Sequence, residues 1–172
     1  MGEVWEDASV KFAYAEWRPY FMVEQLDSVM NYPFKEAVLA YTLDGDKNAF
    51  IAKVSQVLEA YPKQSLDTLM NLIDSHDTVR ALTYLSGVTP PERNRDRAEY
   101  RLNGTDYALA KKRLKFASAL QYTLPGVPCL YYGDEAGVQG FEDPLNRGTY
   151  PWGREDGELI EHYKSLGRMR ER

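Results

Sequence analysis

Cysteine is almost missing. Cys129 is the only one in 172 residues, so an intrachain disulfide is excluded. It lies in the apolar run Val127-Pro128-Cys129-Leu130, where an inert core thiol is expected. Only two histidines occur, His76 and His162. They stand far apart, His162 reads as a surface residue of a helix, and nothing resembles a zinc-ligand cluster. No stretch approaches the roughly 20 apolar residues of a membrane span. Met1-Gly2-Glu3 opens no basic segment followed by an apolar run, as a secretory leader would. No stripe of lysine or arginine offers itself to a phosphate backbone, so nucleic acid is not an expected partner. Gly133, Gly137 and Gly140 do not follow phosphate-loop spacing. Ser75, His76 and Asp77 are too close in sequence to form a serine triad by themselves.

What is present is a mixture of both charges with a formal net of −5, and 13% Phe, Trp and Tyr. The aromatic content suits a packed core and also stacking on sugar rings. The length allows one hydrophobic core but falls short of a whole (β/α)8 barrel, which needs about 250 residues. Gly2-Glu3-Val4-Trp5 reads as the end of a strand. Residues 6–24, with Phe12, Tyr14, Trp17, Tyr20 and Phe21 among charges, read as a long loop. Leu26 to Met30 is a strand candidate, and Pro33 opens a helix to about Leu43. Phe50, Val54, Val57 and Tyr61 recur at helical period, with Pro62 as the stop. Leu69-Met70-Asn71-Leu72-Ile73 is an apolar run but for Asn71, too short for a helix and suited to a buried parallel strand. A helix is expected over Val79 to Leu85, then a polar loop from Gly87 to Asn103. Asp106 to Thr123 forms a helix whose stripe is Ala110, Leu114, Ala117, Leu120 and Leu124. Val127 to Tyr132 is a further buried strand, followed by a glycine-rich loop to Gly153 and a last helix from about Glu155. Strands alternate with helices, and polar clusters follow the strand ends. That order predicts parallel βα units with ligand sites beyond the strand C-termini, in half a barrel or in a small open sheet.

Two acidic residues stand at such ends. Glu3 alone reads as easily as a frayed carboxylate. Asp77 follows an apolar strand and neighbours His76, Ser75, Thr78 and Arg80, yet chain returning to solvent is often polar.

The surrounding strings carry a resemblance. Gly2-Glu3-Val4-Trp5 resembles the fifth-strand motif of the alpha-amylase family of glycoside hydrolases. Asn71-Leu72-Ile73-Asp74-Ser75-His76-Asp77-Thr78-Val79-Arg80 resembles its seventh-strand motif. Gly126 to Gly137 resembles the eighth strand and the loop after it. Asp27-Ser28-Val29-Met30-Asn31-Tyr32-Pro33-Phe34, Asp143-Pro144-Leu145-Asn146-Arg147 and Pro151-Trp152 are similar to the cyclomaltodextrinase and neopullulanase branch. The strings occur in the family's order and span essentially the whole chain.

The resemblance implies an α/β fold: the C-terminal half of a (β/α)8 TIM barrel, strands five to eight with their helices. Residues 1–172 would be a partial catalytic domain without its N-terminal half. It implies a retaining hydrolase of α-glucosidic bonds in maltodextrins, cyclodextrins, pullulan or starch. Transfer or isomerisation of glucosides, or a non-catalytic amylase-like domain, are the alternatives. Glu3 would be the general acid and base, and Asp77 the carboxylate supporting the transition state. His76 would hydrogen-bond a sugar hydroxyl. Arg147 and Trp152 would stand in loops near the substrate, and Arg80 would anchor a loop by a salt bridge. Tyr32 and Tyr132 are stacking platforms or core.

Retaining chemistry uses a nucleophile and an acid/base about 5 Å apart. The family's nucleophile, a fourth-strand Asp, has no counterpart in this sequence, so residues 1–172 alone are expected to be inactive. No metal or cofactor is expected here, since the family's usual calcium site would lie in the part not present. The partner is an α-glucan or maltooligosaccharide, with no membrane. Open barrel edges and an uncovered interior face imply a homo-oligomer. The lone cysteine and the branch point to a cytoplasmic rather than a secreted parent.

Overall fold

A computed structural model describes residues 1–9, 11–13, 15–18, 20–21 and 25–171. Contacts divide the chain into two compact units: residues 1–72 with 123–129, and residues 73–122 with 130–172.

The half barrel expected from the sequence does not form. Regular structure is mostly helical, and the described strands are short: β1 Lys11–Ala13, β2 Glu16–Arg18, β3 Met70–Asn71 and β4 Val127–Pro128. β1 and β2 pair only with each other, antiparallel. β3 and β4 pair in parallel over two residues, Met70 with Val127 and Asn71 with Pro128. Single parallel bridges join Gly2 to Val29 and Met30 to Met70. The result is a narrow open ladder, not a curved barrel wall. The residues that enter it limit its width. Val127 N and Cys129 N bond inward to Leu69 O and Asn71 O, while Pro128 between them brings no N–H to the outer side of β4. The side-chain amides of Asn31 and Asn71 occupy positions that a longer apolar strand would fill with β-branched residues.

In the first unit this ladder is the spine. Met30 N donates to Gly2 O (3.0 Å), Met70 N to Val29 O (3.1 Å) and Val127 N to Leu69 O (2.7 Å). Asn31 Nδ2 donates to Asn71 Oδ1 (2.9 Å), and Asn71 Nδ2 to Pro125 O (2.7 Å). Buried amides are thus paired with each other and with backbone, as burial requires. Val4, Ala8, Val29, Val57, Tyr61 and Leu69 close the core over it. Helix α1 (Tyr32–Asp44) starts where Asn31 accepts from Phe34 N and ends at Gly45 with φ 76°. Helix α2 (Lys47–Ala60) starts where Asp46 accepts from Asn48 N and Ala49 N. Its Val57 and the following Tyr61 face the core, as their spacing predicts. Tyr61 Oη accepts from Ala8 N (2.8 Å), and burial pushes its phenol up to about 12. A short helix α3 (Lys63–Thr68) leads into β3.

Residues 6–24 are not one loop, because β1 and β2 form a hairpin on which Phe12 and Trp17 meet edge to face at 5.4 Å. Tyr14 lies outside the described residues.

The second unit carries α4 (Ala81–Ser86), α5 (Asn94–Glu99), most of α6 (Gly104–Thr123) and α7 (Gly157–Arg170). Two 3-10 turns, Asp134–Ala136 and Leu145–Arg147, replace the plain loop expected before Gly153. Helix α5 interrupts the expected polar loop, and it buries none of its residues. The buried stripe of α6 is Ala110, Leu114, Ala117, Ser118 and Gln121. Two of the five are polar, where apolar residues were expected. Asp156 caps α7, accepting from Glu158 N (3.0 Å) and Leu159 N (3.2 Å), and ties it to α6 through Tyr107 Oη (2.8 Å) and Lys111 Nζ (3.0 Å). His162 is half-buried, not on the surface as expected, with Nε2 2.9 Å from Ser118 Oγ. Cys129 is partly exposed, so it is not the closed core thiol its apolar run predicts. No helix among the described residues is long and apolar enough to cross a membrane.

Two outcomes follow from this packing. Gly126 has φ 115°, and an added Cβ would come within 2.7 Å of the Asn71 amide. Gly126→Ala therefore adds backbone strain and disturbs the buried amide pair. It should lower unfolding free energy by about 2 kcal/mol in urea titration, and an unchanged midpoint would contradict the assignment. The second outcome concerns acid. Burial, with Lys115 beside it, holds the His162 imidazole below its ordinary 6.5. Burial works to raise the Asp156 carboxyl, but hydrogen bonds from Tyr107 and Lys111 bring it below its ordinary 3.8. Both folded values are depressed, so both contributions are present above the unfolded values and are lost as pH falls. Melting temperature should decline below pH 6.5 and again below 3.8. His162→Gln should flatten only the first decline.

Candidate active site

The residues expected to carry chemistry fall in both units. In the first, Gly2 is held in the ladder by its N–H to Ser28 O (2.9 Å). That fixes the chain from which the Glu3 side chain extends to solvent. Trp5 Nε1 donates to Glu3 Oε1 (3.1 Å). The Trp5 ring lies flat on Tyr32, with centroids 4.0 Å apart and planes at 12°. Tyr32 is fully buried while Trp5 keeps an exposed face. Of the two aromatics, Trp5 offers the surface on which a ring could stack.

In the second unit, the chain after β3 turns tightly between Ser75 and Thr78. Ser75 N donates to Thr78 Oγ1 (3.0 Å), Thr78 N to Ser75 O (3.3 Å) and Asp77 N to Ser75 Oγ (3.2 Å). This turn presents His76 and Asp77 together. Nε2 of His76 is 3.0 Å from Asp77 Oδ2, and an Arg147 terminal nitrogen (Nη2) is 3.3 Å from Asp77 Oδ1. Arg147 Nε also donates to Asp143 Oδ1 (2.6 Å). The Asp77 side chain remains 35% exposed, and His76 and Arg147 44% each. The carboxylate is therefore gripped on both oxygens and still open to a ligand.

Beneath this group lies a buried polar layer. Arg80 is fully buried, donating from Nε to Asn146 O (2.8 Å) and from Nη1 to Tyr132 O (2.5 Å) and Asp134 Oδ1 (3.3 Å). Its guanidinium lies over the Tyr131 ring at 4.0 Å and the Tyr132 ring at 4.6 Å. Arg80 thus forms the salt bridge expected of it, with Asp134 as partner. Burial and the neighbouring Asp74 push the Asp134 carboxyl well above its usual range, against the pull of Arg80. Asp74 Oδ2 accepts from Ala81 N (2.7 Å), which starts α4.

Tyr132 is exposed, and its hydroxyl donates to Gly148 O (2.8 Å). Trp152 is 81% exposed with its ring 4.5 Å from that of Tyr150. A cleft of about 560 Å³ runs beside this loop, lined by Arg101, Tyr107, Gln139, Thr149, Pro151 and Arg154. Asp77 and His76 do not line it. Among the described residues no group of three or more His, Cys, Asp or Glu could hold a metal ion.

The residue-level reading of the sequence missed Trp5, Asn146 and Asp134. Each lies within a quoted string, but neither period nor spacing marks it. Only the adjacency of an aromatic to Glu3 could have pointed to Trp5.

Residues 1–171 match the alpha amylase catalytic domain. An amylopullulanase of Thermoanaerobacter thermohydrosulfuricus is 38% identical over 182 residues, covering 99% of this chain and 11% of that protein. Neopullulanase 2 of Thermoactinomyces vulgaris is 36% identical over 176 residues, covering 100% of this chain and 25% of that protein. Among solved structures, a cyclomaltodextrinase superposes with TM-score 0.74 at 32% identity, covering 98% of this chain and 24% of that one. The chain spans a quarter or less of the length of these two curated relatives. By the match along nearly its whole length, the chain belongs to the alpha-amylase family, as part of a catalytic domain related to the cyclomaltodextrinase and neopullulanase members.

Proposed function

We propose that these residues contribute the acid/base and the supporting carboxylate of a retaining glycoside hydrolase acting on α-glucosidic bonds of maltodextrin, pullulan or starch-like substrates. The observation that carries the reading is Asp77, whose two oxygens meet His76 at 3.0 Å and Arg147 at 3.3 Å while the group stays open. Ion pairs this exposed add little stability, so stability does not account for the arrangement, whereas a ligand would use it. A carboxylate so oriented stabilises positive charge developing at an anomeric carbon. His76 donates to a sugar hydroxyl beside it, and Arg147 and Trp152 contact the sugar from their loop. Glu3 protonates the departing glycosidic oxygen and then activates water, with Trp5 orienting it and offering a stacking face. Tyr32 supports Trp5 from below.

The mechanism also needs a nucleophilic carboxylate. We place it in polypeptide outside residues 1–172, since the sequence carries no motif for it. Self-association belongs to the same proposal. Its support is β4, where Val127 is half exposed and, among the described residues, no strand pairs along the outer edge.

The test uses the complete polypeptide and residues 1–172 side by side. Residues 1–172 alone should not turn over maltotriose or an aryl α-glucoside. In the complete polypeptide, Glu3→Gln should lower kcat/KM on maltotriose by about 10²–10⁴-fold. The loss should be much smaller on an aryl glucoside, whose leaving group needs no proton. Asp77→Asn should lower both alike. A Glu3→Gln loss independent of the leaving group would remove Glu3 from the acid role.

A further inference from the structure

Asn146 has no role in the chemistry above, yet it is fully buried in the Leu145–Arg147 turn. Its Nδ2 donates to His76 O at 2.7 Å and to Thr78 O at 2.8 Å, with Ser75 O at 3.5 Å behind them. Two short bonds use both amide hydrogens, and the third distance is too long to count as a full bond. The orientation of the amide is set by these contacts. Turned over, its oxygen would face two carbonyl oxygens. Oδ1 itself has no hydrogen-bond partner among the described residues.

The two accepting carbonyls flank Asp77 on either side. Asn146 thereby fixes the direction in which the Asp77 side chain leaves the backbone. Arg147, the next residue, reaches the same carboxylate with its guanidinium. One dipeptide holds Asp77 by its backbone and by its charge. Asn146 O in turn accepts from Arg80 Nε (2.8 Å), which anchors the clamp to the buried layer.

We propose that Asn146 is a positioning residue, which locks the Ser75–Thr78 turn and so aims the Asp77 carboxylate. The catalytic consequence rests on the role given to Asp77 above; the clamp itself does not.

Asn146→Asp keeps the shape and removes at least one of the two donors, because an ionised carboxylate donates nothing and a protonated one donates only once. In residues 1–172 followed by hydrogen exchange, the Asp77 and Thr78 amides should exchange at least about tenfold faster, while the amides of α6 and α7 keep their protection. Unchanged exchange at Asp77 and Thr78, or an equal rise everywhere, would overturn the clamp. Should Asn146→Asp fail to fold, Asn146→Ser retains one donor and should give a smaller rise at the same amides. In the complete polypeptide, Asn146→Asp should lower kcat by about a hundredfold, the cost of a ~1 Å misplacement, with KM little changed. In an Asp77→Asn background it should cost only a few-fold, since there is then no aim to lose. Additive losses would overturn the positioning role and leave a structural asparagine. Full activity of Asp77→Asn would instead remove the reading of Asp77, and the exchange result would still decide the clamp.

Discussion

The guanidinium of Arg80 has no access to water, and the second unit is arranged around that fact. Removing an arginine from water costs several kcal/mol unless its donors are met and its charge is opposed. Here Nε and Nη1 reach two carbonyl oxygens and Asp134, and the planar face rests on Tyr131 and Tyr132, while Nη2 has no hydrogen-bond partner among the described residues. The backbone N–H of Arg80 also donates to Gly140 O (3.0 Å). One residue thus binds the segments around 80, 132–134, 140 and 146. The turn bearing His76 and Asp77 and the loop bearing Arg147 are both fastened to it.

This layering separates stability from function. The lower layer of Arg80, Asp74, Asp134 and Asn146 is buried. The layer above it, His76, Asp77, Asp143 and Arg147, is partly exposed and held by ion pairs that face solvent. Exposed ion pairs contribute little to folding, so the upper layer is free to exchange its partners for a ligand while the lower one keeps its geometry. Glu3 is served by a different device. Its place depends on a backbone ladder at Gly2 and on Trp5, which is itself supported by the buried Tyr32 ring.

Much of this was legible in the sequence, for identifiable reasons. Helix α2 follows from the spacing of Phe50, Val54, Val57 and Tyr61 because a helix buries one face at that period. The polar cluster after Ile73 was readable because an apolar run ends there abruptly. Helix α5 was hidden, since Asn94–Glu99 buries nothing and has no apolar period. The hairpin of β1 and β2 was hidden in three-residue strands too short to show alternation. The barrel failed as an expectation because apolar runs such as Leu69 to Ile73 mark burial without fixing how many residues enter a ladder. Here only Met70 and Asn71 do. Asn146 could not be found by pattern at all, because its importance lies in carbonyls some seventy positions earlier.

The open carboxylate of Asp77 stands on a buried cationic support, and Arg80→Leu removes that support, since leucine fills space but leaves Asp134, Tyr132 O and Asn146 O without the donor Arg80 supplies. Urea unfolding of residues 1–172 should then lose about 3–5 kcal/mol, the usual cost of breaking a buried pair by removing one partner. A loss below about 1 kcal/mol would contradict the claim, because it would mean that these groups do not depend on Arg80 for their place.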